Sequence, residues 1–179
     1  GGTVLGMLVS LLIARLLGPT ALGGIGWSLC AAGLCMAALL PGFAQAHLKR
    51  LAEGQDAGRC LGTMAVIQLA LTGALLAAVA TGWALGGAAG APELGLVFLF
   101  VLASQVSGNF ADIFLKVFIA REWIVGYSGI VLGARITRLV GTLAVLLWAP
   151  SVTAVAATFP LEGILSCAAA ALVLARQHG

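Results

Sequence analysis

The chain has 179 residues, of which 61% are hydrophobic and only 8% are charged, and its mean hydropathy is +1.13. Soluble domains carry about a quarter charged residues, so this composition excludes an ordinary soluble domain and indicates an integral membrane protein. The formal net charge of +3 is too small to indicate a nucleic-acid partner. The 25 glycines are typical of transmembrane helices that pack closely.

The chain starts without Met, inside or next to its first apolar run. We therefore expect a fragment or an N-terminally trimmed protein. No basic region precedes this run, so we predict no cleavable signal peptide.

Six apolar runs with short connections predict six transmembrane helices in an all-α integral membrane protein. Gly18 and Pro19 are predicted to end the first helix, whereas Pro41-Gly42 and Pro160 are predicted to kink the second and the sixth. A polar loop is predicted after the second helix, from residue 47 to residue 59. The predicted spans are about 2–17, 21–46, 60–85, 94–118, 123–148 and 152–175.

The basic residues are unequally divided between the two predicted membrane faces. One face collects the 2–3 loop, the 4–5 loop and the C-terminal tail, and the other face holds only Arg15. By the positive-inside rule, both termini are predicted to be cytoplasmic in a multi-pass protein of the cell's inner (cytoplasmic) membrane. The residues on the basic face are Lys49, Arg50, Arg59, Lys116, Arg121 and Arg176.

Two arginines lie near the middle of the fifth predicted span. At about 1.5 Å per residue, Arg135 and Arg138 lie roughly 18 and 22 Å into the membrane, on a polar stripe with Ser128 and Thr142. Charged residues at such depth usually face a bundle interior or a water-filled cavity. Because guanidinium groups match phosphate oxygens, the pair predicts a binding site for phosphate or pyrophosphate. The alternative is an internal ion pair that joins helices.

Glu162 lies near the middle of the sixth predicted span and is the natural partner of either arginine. Two arginines against one glutamate leave one positive charge over, which favours a cavity for an anionic ligand. A role for Glu162 in proton coupling is a further alternative.

The fourth predicted span carries four polar residues at spacings of 4, 3 and 4, so they share one helical stripe. We expect the stripe to line the cytoplasmic half of the same cavity, with Gln105 and Asn109 as substrate-binding residues and Asp112 and Lys116 in charge pairing or coupling. Asp112 and Lys116 are four residues apart, so pairing with each other is an alternative for these two. The alternative is hydrogen bonding between helices. Arg15 is either an outer gate or an anchor at the headgroups.

The sequence contains no Walker A, H-E-x-x-H or G-x-S-x-G motif, so we expect neither an enzyme nor a cofactor. The cysteines form no C-x-x-C pair and are expected to be small packing residues, and no metal site is expected. The cysteines are Cys30, Cys35, Cys60 and Cys167.

Two segments carry a resemblance to a known family. Ala14-Arg15-Leu16-Leu17-Gly18-Pro19 leads into the second helix, which is followed by Leu48-Lys49-Arg50-Leu51-Ala52-Glu53-Gly54. Together they resemble the opening of the polysaccharide and lipid-linked oligosaccharide flippases of the MOP superfamily, which also holds the MATE exporters. The resemblance implies that residues 1–179 are one six-helix lobe of a protein with about twelve to fourteen helices.

The resemblance also implies a function in polysaccharide and cell-envelope biosynthesis. Such a transporter moves an undecaprenyl-pyrophosphate-linked glycan from the inner to the outer leaflet by alternating access. Its expected partners are the lipid-linked glycan, membrane lipids and other membrane proteins of polysaccharide assembly. Two alternatives stay open: a MATE-like exporter of cations or drugs, which needs an acidic cavity, and a non-transporting assembly subunit with closed salt bridges.

Overall fold

The computed structural model describes residues 2–39, 43–54, 56–86, 92–148 and 150–178, which form helices and short turns, with no β-strand among them. Gly18 adopts a left-handed conformation with a φ of 90°, and Pro19 begins the next helix, so the predicted break occurs there. The helices are α1 (Gly2–Leu17), α2 (Pro19–Leu39), α3 (Phe43–Ala52), α4 (Ala57–Gly86), α5 (Pro92–Ala120), α6 (Ile124–Trp148), α7 (Val152–Ala157) and α8 (Phe159–His178).

Five segments of the described chain are long and apolar enough to cross a membrane. Only 11% to 33% of the residues in their apolar windows are buried inside the protein, so most of these apolar surfaces face outward, as expected in a bilayer. These helices indicate a multi-pass membrane protein. They are Pro19–Ala37, Gly58–Trp83, Glu93–Ala120, Ile124–Trp148 and Val152–Arg176.

The prediction of six full spans is therefore supported for five. The first predicted span corresponds to a shorter apolar helix, Gly6–Leu17, whereas a straight crossing takes about 20 residues.

The second predicted span differs from the structure at its end. α2 is described as far as Leu39, and α3 covers residues that were predicted to be the end of the span and the start of a polar loop. α3 is amphipathic: Leu51 is buried, whereas Lys49 and Arg50 are exposed. A helix with one basic face and one apolar face suits the membrane surface rather than its interior. The predicted kink at Pro41-Gly42 lies outside the described residues.

α5 is the central helix, and its most extensive partner is α8. The two helices approach so closely that a Cβ atom on Gly163 would lie 2.6 Å from the backbone nitrogen of Gly108 and 2.7 Å from the carbonyl carbon of Ser107. Small residues allow this approach, as in other membrane helix pairs.

Two clusters of buried apolar side chains form the interior. One includes Leu146 and is joined by Leu139, and the other is joined by Tyr127 and Val131. Along α6, the segment between Val131 and Leu139 belongs to neither cluster, and it carries both Arg135 and Arg138. The arginines therefore lie on α6 where apolar packing gives way to polar contacts.

Candidate functional site

The sixth predicted span is interrupted at Thr158, between α7 and α8. Pro160 lacks the N–H that would bond to the carbonyl of Ala156, but the first turn of a new helix tolerates a proline. The predicted kink at Pro160 is thus a break two residues earlier. It places Glu162 in the first turn of α8, where the helix dipole favours a carboxylate.

Hydroxyl groups satisfy the backbone around this break. Thr158 Oγ1 donates to the carbonyl oxygen of Val155 at 2.7 Å. Because that uses its one proton, Thr142 Oγ1 donates to Thr158 Oγ1 at 2.9 Å. Ser104 Oγ of α5 donates to the carbonyl oxygen of Phe159 at 3.1 Å. The break is therefore fixed in place by side chains of α5 and α6.

Glu162 binds both arginines of α6. Arg135 Nε donates to Glu162 Oε1 at 3.1 Å, and Arg138 Nη1 donates to Glu162 Oε2 at 2.7 Å. The two arginines reach one carboxylate because residues three apart lie on the same helix face. We call Arg135, Arg138 and Glu162 the arginine cluster. The sequence predicted one of the two pairs, and the structure has both.

Arg138 is held on a second side by an aromatic ring. Its guanidinium carbon lies 4.1 Å from the ring centroid of Phe159, within the range of a cation–π contact. Its Nε atom is buried without a hydrogen-bond partner among the described residues. Arg138 is thus fixed by Phe159 and Glu162 and keeps one unused donor.

The arginine cluster carries a net charge of +1, from two guanidinium groups and one carboxylate. The side chain of Arg135 is 41% exposed, compared with 27% for Arg138 and 26% for Glu162. The Nη groups of Arg135 bond to none of the described residues. Unused donors and a surplus positive charge are what an anionic ligand requires.

Two cavities meet at the arginine cluster. Cavity A, of about 520 Å³, lies between α1, α2, α6 and α8. Outside the cluster its lining is apolar, apart from Ser10, whose hydroxyl donates to the carbonyl oxygen of Gly6 at 3.0 Å. Its apolar residues include Val9, Ile13, Ile25, Leu29 and Leu139.

Cavity B, of about 320 Å³, lies between α2, α5, α6 and α8, on another side of the arginine cluster. Its lining outside the cluster is rich in hydrogen-bonding groups. These polar lining residues are Ser104, Gln105, Asp112, Tyr127 and Ser166.

The predicted polar stripe of α5 is divided by the structure. Gln105 and Asp112 line cavity B with the arginine cluster. Asn109 instead contacts α2, where its Nδ2 atom lies 3.4 Å from Met36 Sδ. Lys116 Nζ pairs with Asp112 Oδ2 at 2.9 Å within α5. The stripe therefore lies on one helical face, as predicted, but only part of it reaches the arginines.

Two other polar residues named from the sequence lie away from the cluster. Arg15 is exposed in the last turn of α1 and is not among the residues that line cavity A or cavity B. Ser128 is exposed on α6.

Sequence reasoning missed Phe159, Tyr127 and Ser166 as site residues. Phe159 directly follows the break, and Ser166 lies one helical turn beyond Glu162. The position of each residue in the sequence could therefore have predicted that it lies near Glu162. Tyr127 had none, because which face of α6 reaches the cavity depends on how the helix is rotated by its neighbours.

The part of the chain that the structure describes holds no group of three His, Cys, Asp or Glu side chains placed to bind a metal ion. The cysteines within it are free. Comparison with models of known protein families, with curated proteins and with solved structures gives no match to this chain.

Proposed function

We propose that this chain is a transport lobe for an anionic lipid-linked oligosaccharide, which it helps to move from the inner to the outer leaflet of the cytoplasmic membrane. The carrying observation is the arginine cluster. It places a net positive charge where two cavities meet among membrane-spanning helices. Guanidinium forks match the oxygens of a phosphate or pyrophosphate headgroup, and such a headgroup must leave water to cross a bilayer.

The sequence resemblance supplies the rest of the proposal. The chain would be one six-helix lobe of a MOP-superfamily flippase, with both termini in the cytoplasm and a second lobe completing the path. Its partners would be the lipid-linked glycan, membrane lipids and other membrane proteins of polysaccharide assembly.

A second candidate is a non-transporting membrane assembly subunit. It is favoured by one observation: both oxygens of Glu162 are occupied by arginine donors, so the ion pairs are closed. A MATE-like cation exporter has less support, because the cluster has a positive net charge and Asp112 is already paired with Lys116.

Thiol accessibility separates the transporter from the assembly subunit. In a chain without its four native cysteines, Leu139→Cys places a thiol in cavity A and leaves the arginine cluster intact. We expect a membrane-impermeant methanethiosulfonate to label it rapidly in nanodiscs, because a hydrated cavity admits the reagent. We also expect farnesyl pyrophosphate to slow the labelling, since its charged end occupies the adjacent arginines.

Two control positions lie on the same helix. Ala134→Cys is packed, at 5% exposure, and Leu132→Cys is exposed on the outer face of α6, where lipid would cover it. Both are expected to label slowly. Labelling of Leu139→Cys that is as slow as that of both controls, or that farnesyl pyrophosphate does not change, would contradict the transporter and support the assembly subunit.

A further inference from the structure

Three polar side chains in cavity B have no hydrogen-bond partner among the described residues. They come from three helices: Gln105 from α5, Tyr127 from α6 and Ser166 from α8. Ser166 is only 6% exposed as a residue, and it lines the cavity without a side-chain hydrogen bond to another described residue. Buried polar groups are normally hydrogen-bonded, and a group left unpaired costs free energy. These three side chains therefore leave donors and acceptors for a ligand.

The chemistry of these groups is neutral. An amide, a phenol and a hydroxyl can each donate and accept, and Asp112 adds a carboxylate whose charge is already balanced by Lys116. A further anionic group would gain little from such a lining, and a hydrocarbon chain would leave the lining unpaired. A molecule that carries several hydroxyl groups would satisfy it.

The volume of cavity B sets the size of this molecule. At about 30 Å³ per water molecule, 320 Å³ holds about ten waters, which is enough for a monosaccharide. The cavity also borders the arginine cluster, so the hydroxyl-bearing unit would be attached directly to the anionic group. These two requirements together describe a sugar phosphate.

Cavity A offers the opposite chemistry. Its only hydroxyl outside the cluster among the described lining residues, that of Ser10, already donates to a backbone carbonyl. The remaining lining suits hydrocarbon. The two cavities therefore give the ligand a direction across the cluster, with its sugar toward α5 and its apolar part toward α1 and α2.

We infer that cavity B binds the first sugar of a lipid-linked saccharide, next to a phosphate held by Arg135 and Arg138. This inference rests on the proposed function and adds to it a subsite that recognises the sugar. Gln105, Tyr127 and Ser166 are its specificity-determining residues, because they contact the sugar and not the phosphate.

Equilibrium binding to the purified chain in nanodiscs tests the inference with three probes. They are farnesyl pyrophosphate, the same lipid carrying glucose on its terminal phosphate, and glucose 1-phosphate. We expect the glucosylated lipid to bind at least about tenfold more tightly than farnesyl pyrophosphate, since several hydrogen bonds are added.

Single substitutions then locate the sugar. Gln105→Leu, Tyr127→Phe and Ser166→Ala should each weaken binding of the glucosylated lipid by about 3- to 10-fold, the effect of one lost hydrogen bond. Their binding of farnesyl pyrophosphate should stay within about twofold of the original chain, which also shows that each variant is folded. The matched control is Ser128→Ala, which removes a hydroxyl from the exposed face of α6 outside both cavities and should change neither affinity.

Each contrary outcome has a distinct meaning. Equal affinities for the two lipids, or no selective loss in the three cavity B variants, would overturn the sugar subsite while leaving the proposed function intact. No binding of either lipid, or binding that Arg135→Gln leaves unchanged, would overturn the proposed function itself. Glucose 1-phosphate binding as tightly as the glucosylated lipid would keep the sugar phosphate chemistry and overturn the lipid-linked ligand.

Discussion

Glu162 and Gly163 are adjacent at the start of α8, yet they meet opposite surroundings. Glu162 reaches toward α6, where it binds two arginines beside two cavities. Gly163 packs against α5, where there is no room for a single added carbon atom at the backbone of Ser107 and Gly108. The first turn of α8 thus has a closed side, where Gly163 contacts the backbone of α5, and an open side, where Glu162 and the arginines of α6 border two cavities.

The difference distinguishes contacts that fix the helices in place from groups that are available to bind a ligand. On the α5 side, hydroxyl groups and small residues fix α8, so its position does not depend on the ion pairs. On the α6 side, the charges are unequal and incompletely used, which is a poor way to join two helices. Replacing a whole buried ion pair by apolar side chains of similar volume is often neutral for stability, so such pairs are weak evidence for a structural role. We therefore assign the closed side to stability and the open side to binding.

The strongest test is to add one carbon atom at Gly163, where α8 contacts the backbone of α5. Gly163→Ala should lower the free energy of unfolding by about 3 kcal/mol, because the new Cβ meets backbone atoms that cannot move aside. SDS-induced unfolding in mixed micelles measures this change. The matched control is Gly133→Ala in α6, where a Cβ would meet nothing within 4 Å. A loss at Gly163 no larger than that at Gly133 would refute the assignment of the closed side.

The open side is tested by neutralising the carboxylate. Glu162→Gln should lower the free energy of unfolding by about 2 kcal/mol, since two partly buried arginines lose their counter-charge. The same variant should bind inorganic pyrophosphate at least about tenfold more tightly, because Glu162 no longer competes for the donors. Isothermal titration calorimetry measures the affinity.

A second glutamate gives the control for this substitution. Glu53 pairs with Lys49 at 3.8 Å on the surface of the protein, and both side chains are more than half exposed. Glu53→Gln should therefore change neither stability nor pyrophosphate affinity, as is usual for exposed pairs. A loss of stability in Glu162→Gln without any gain in affinity would mean that the ion pairs are structural.

Much of the fold follows from local features of the sequence. Apolar runs predict the long helices, Gly18-Pro19 predicts the break after α1, and Pro160 predicts a kink two residues after the break that the structure has at Thr158. The helix α3 was not predicted, because its first residues carry no Asp, Glu, Lys or Arg and continue the charge-free run of the preceding span. Hydropathy alone does not distinguish a span's last turns from an amphipathic helix on the surface.

The candidate site was predictable where charge decides and unpredictable where packing decides. A carboxylate deep in a membrane needs a cation, so Glu162 could be matched to the arginines from the sequence. Asn109 shares its helical face with Gln105, but Met36 occupies the space that it reaches. Contacts of this kind depend on the position of α2, which no local pattern specifies.

The contact between Arg138 and the ring of Phe159 is expected to contribute less to the free energy of unfolding than Glu162 does. Phe159→Leu should lower the free energy of unfolding by about 1 kcal/mol through loss of the cation–π contact. Because leucine also packs differently, the contact is best measured by a double-mutant cycle with Arg138→Met, using SDS-induced unfolding. A coupling energy near zero would show that Phe159 acts only as an apolar wall of the cavities.

The smallest expected effect belongs to the ion pair within α5. Asp112→Asn should lower the free energy of unfolding by less than about 1 kcal/mol, because Asp112 is 52% exposed and only one cation, Lys116, at 12% exposure, loses its counter-charge. Asparagine also keeps an oxygen that can accept from Lys116. Unlike Glu162, Asp112 joins no second helix, and its loss removes the counter-charge of one cation rather than two. The unfolding assay checks this value, and a loss as large as that of Glu162→Gln would mean that the number of helices joined does not distinguish the two ion pairs.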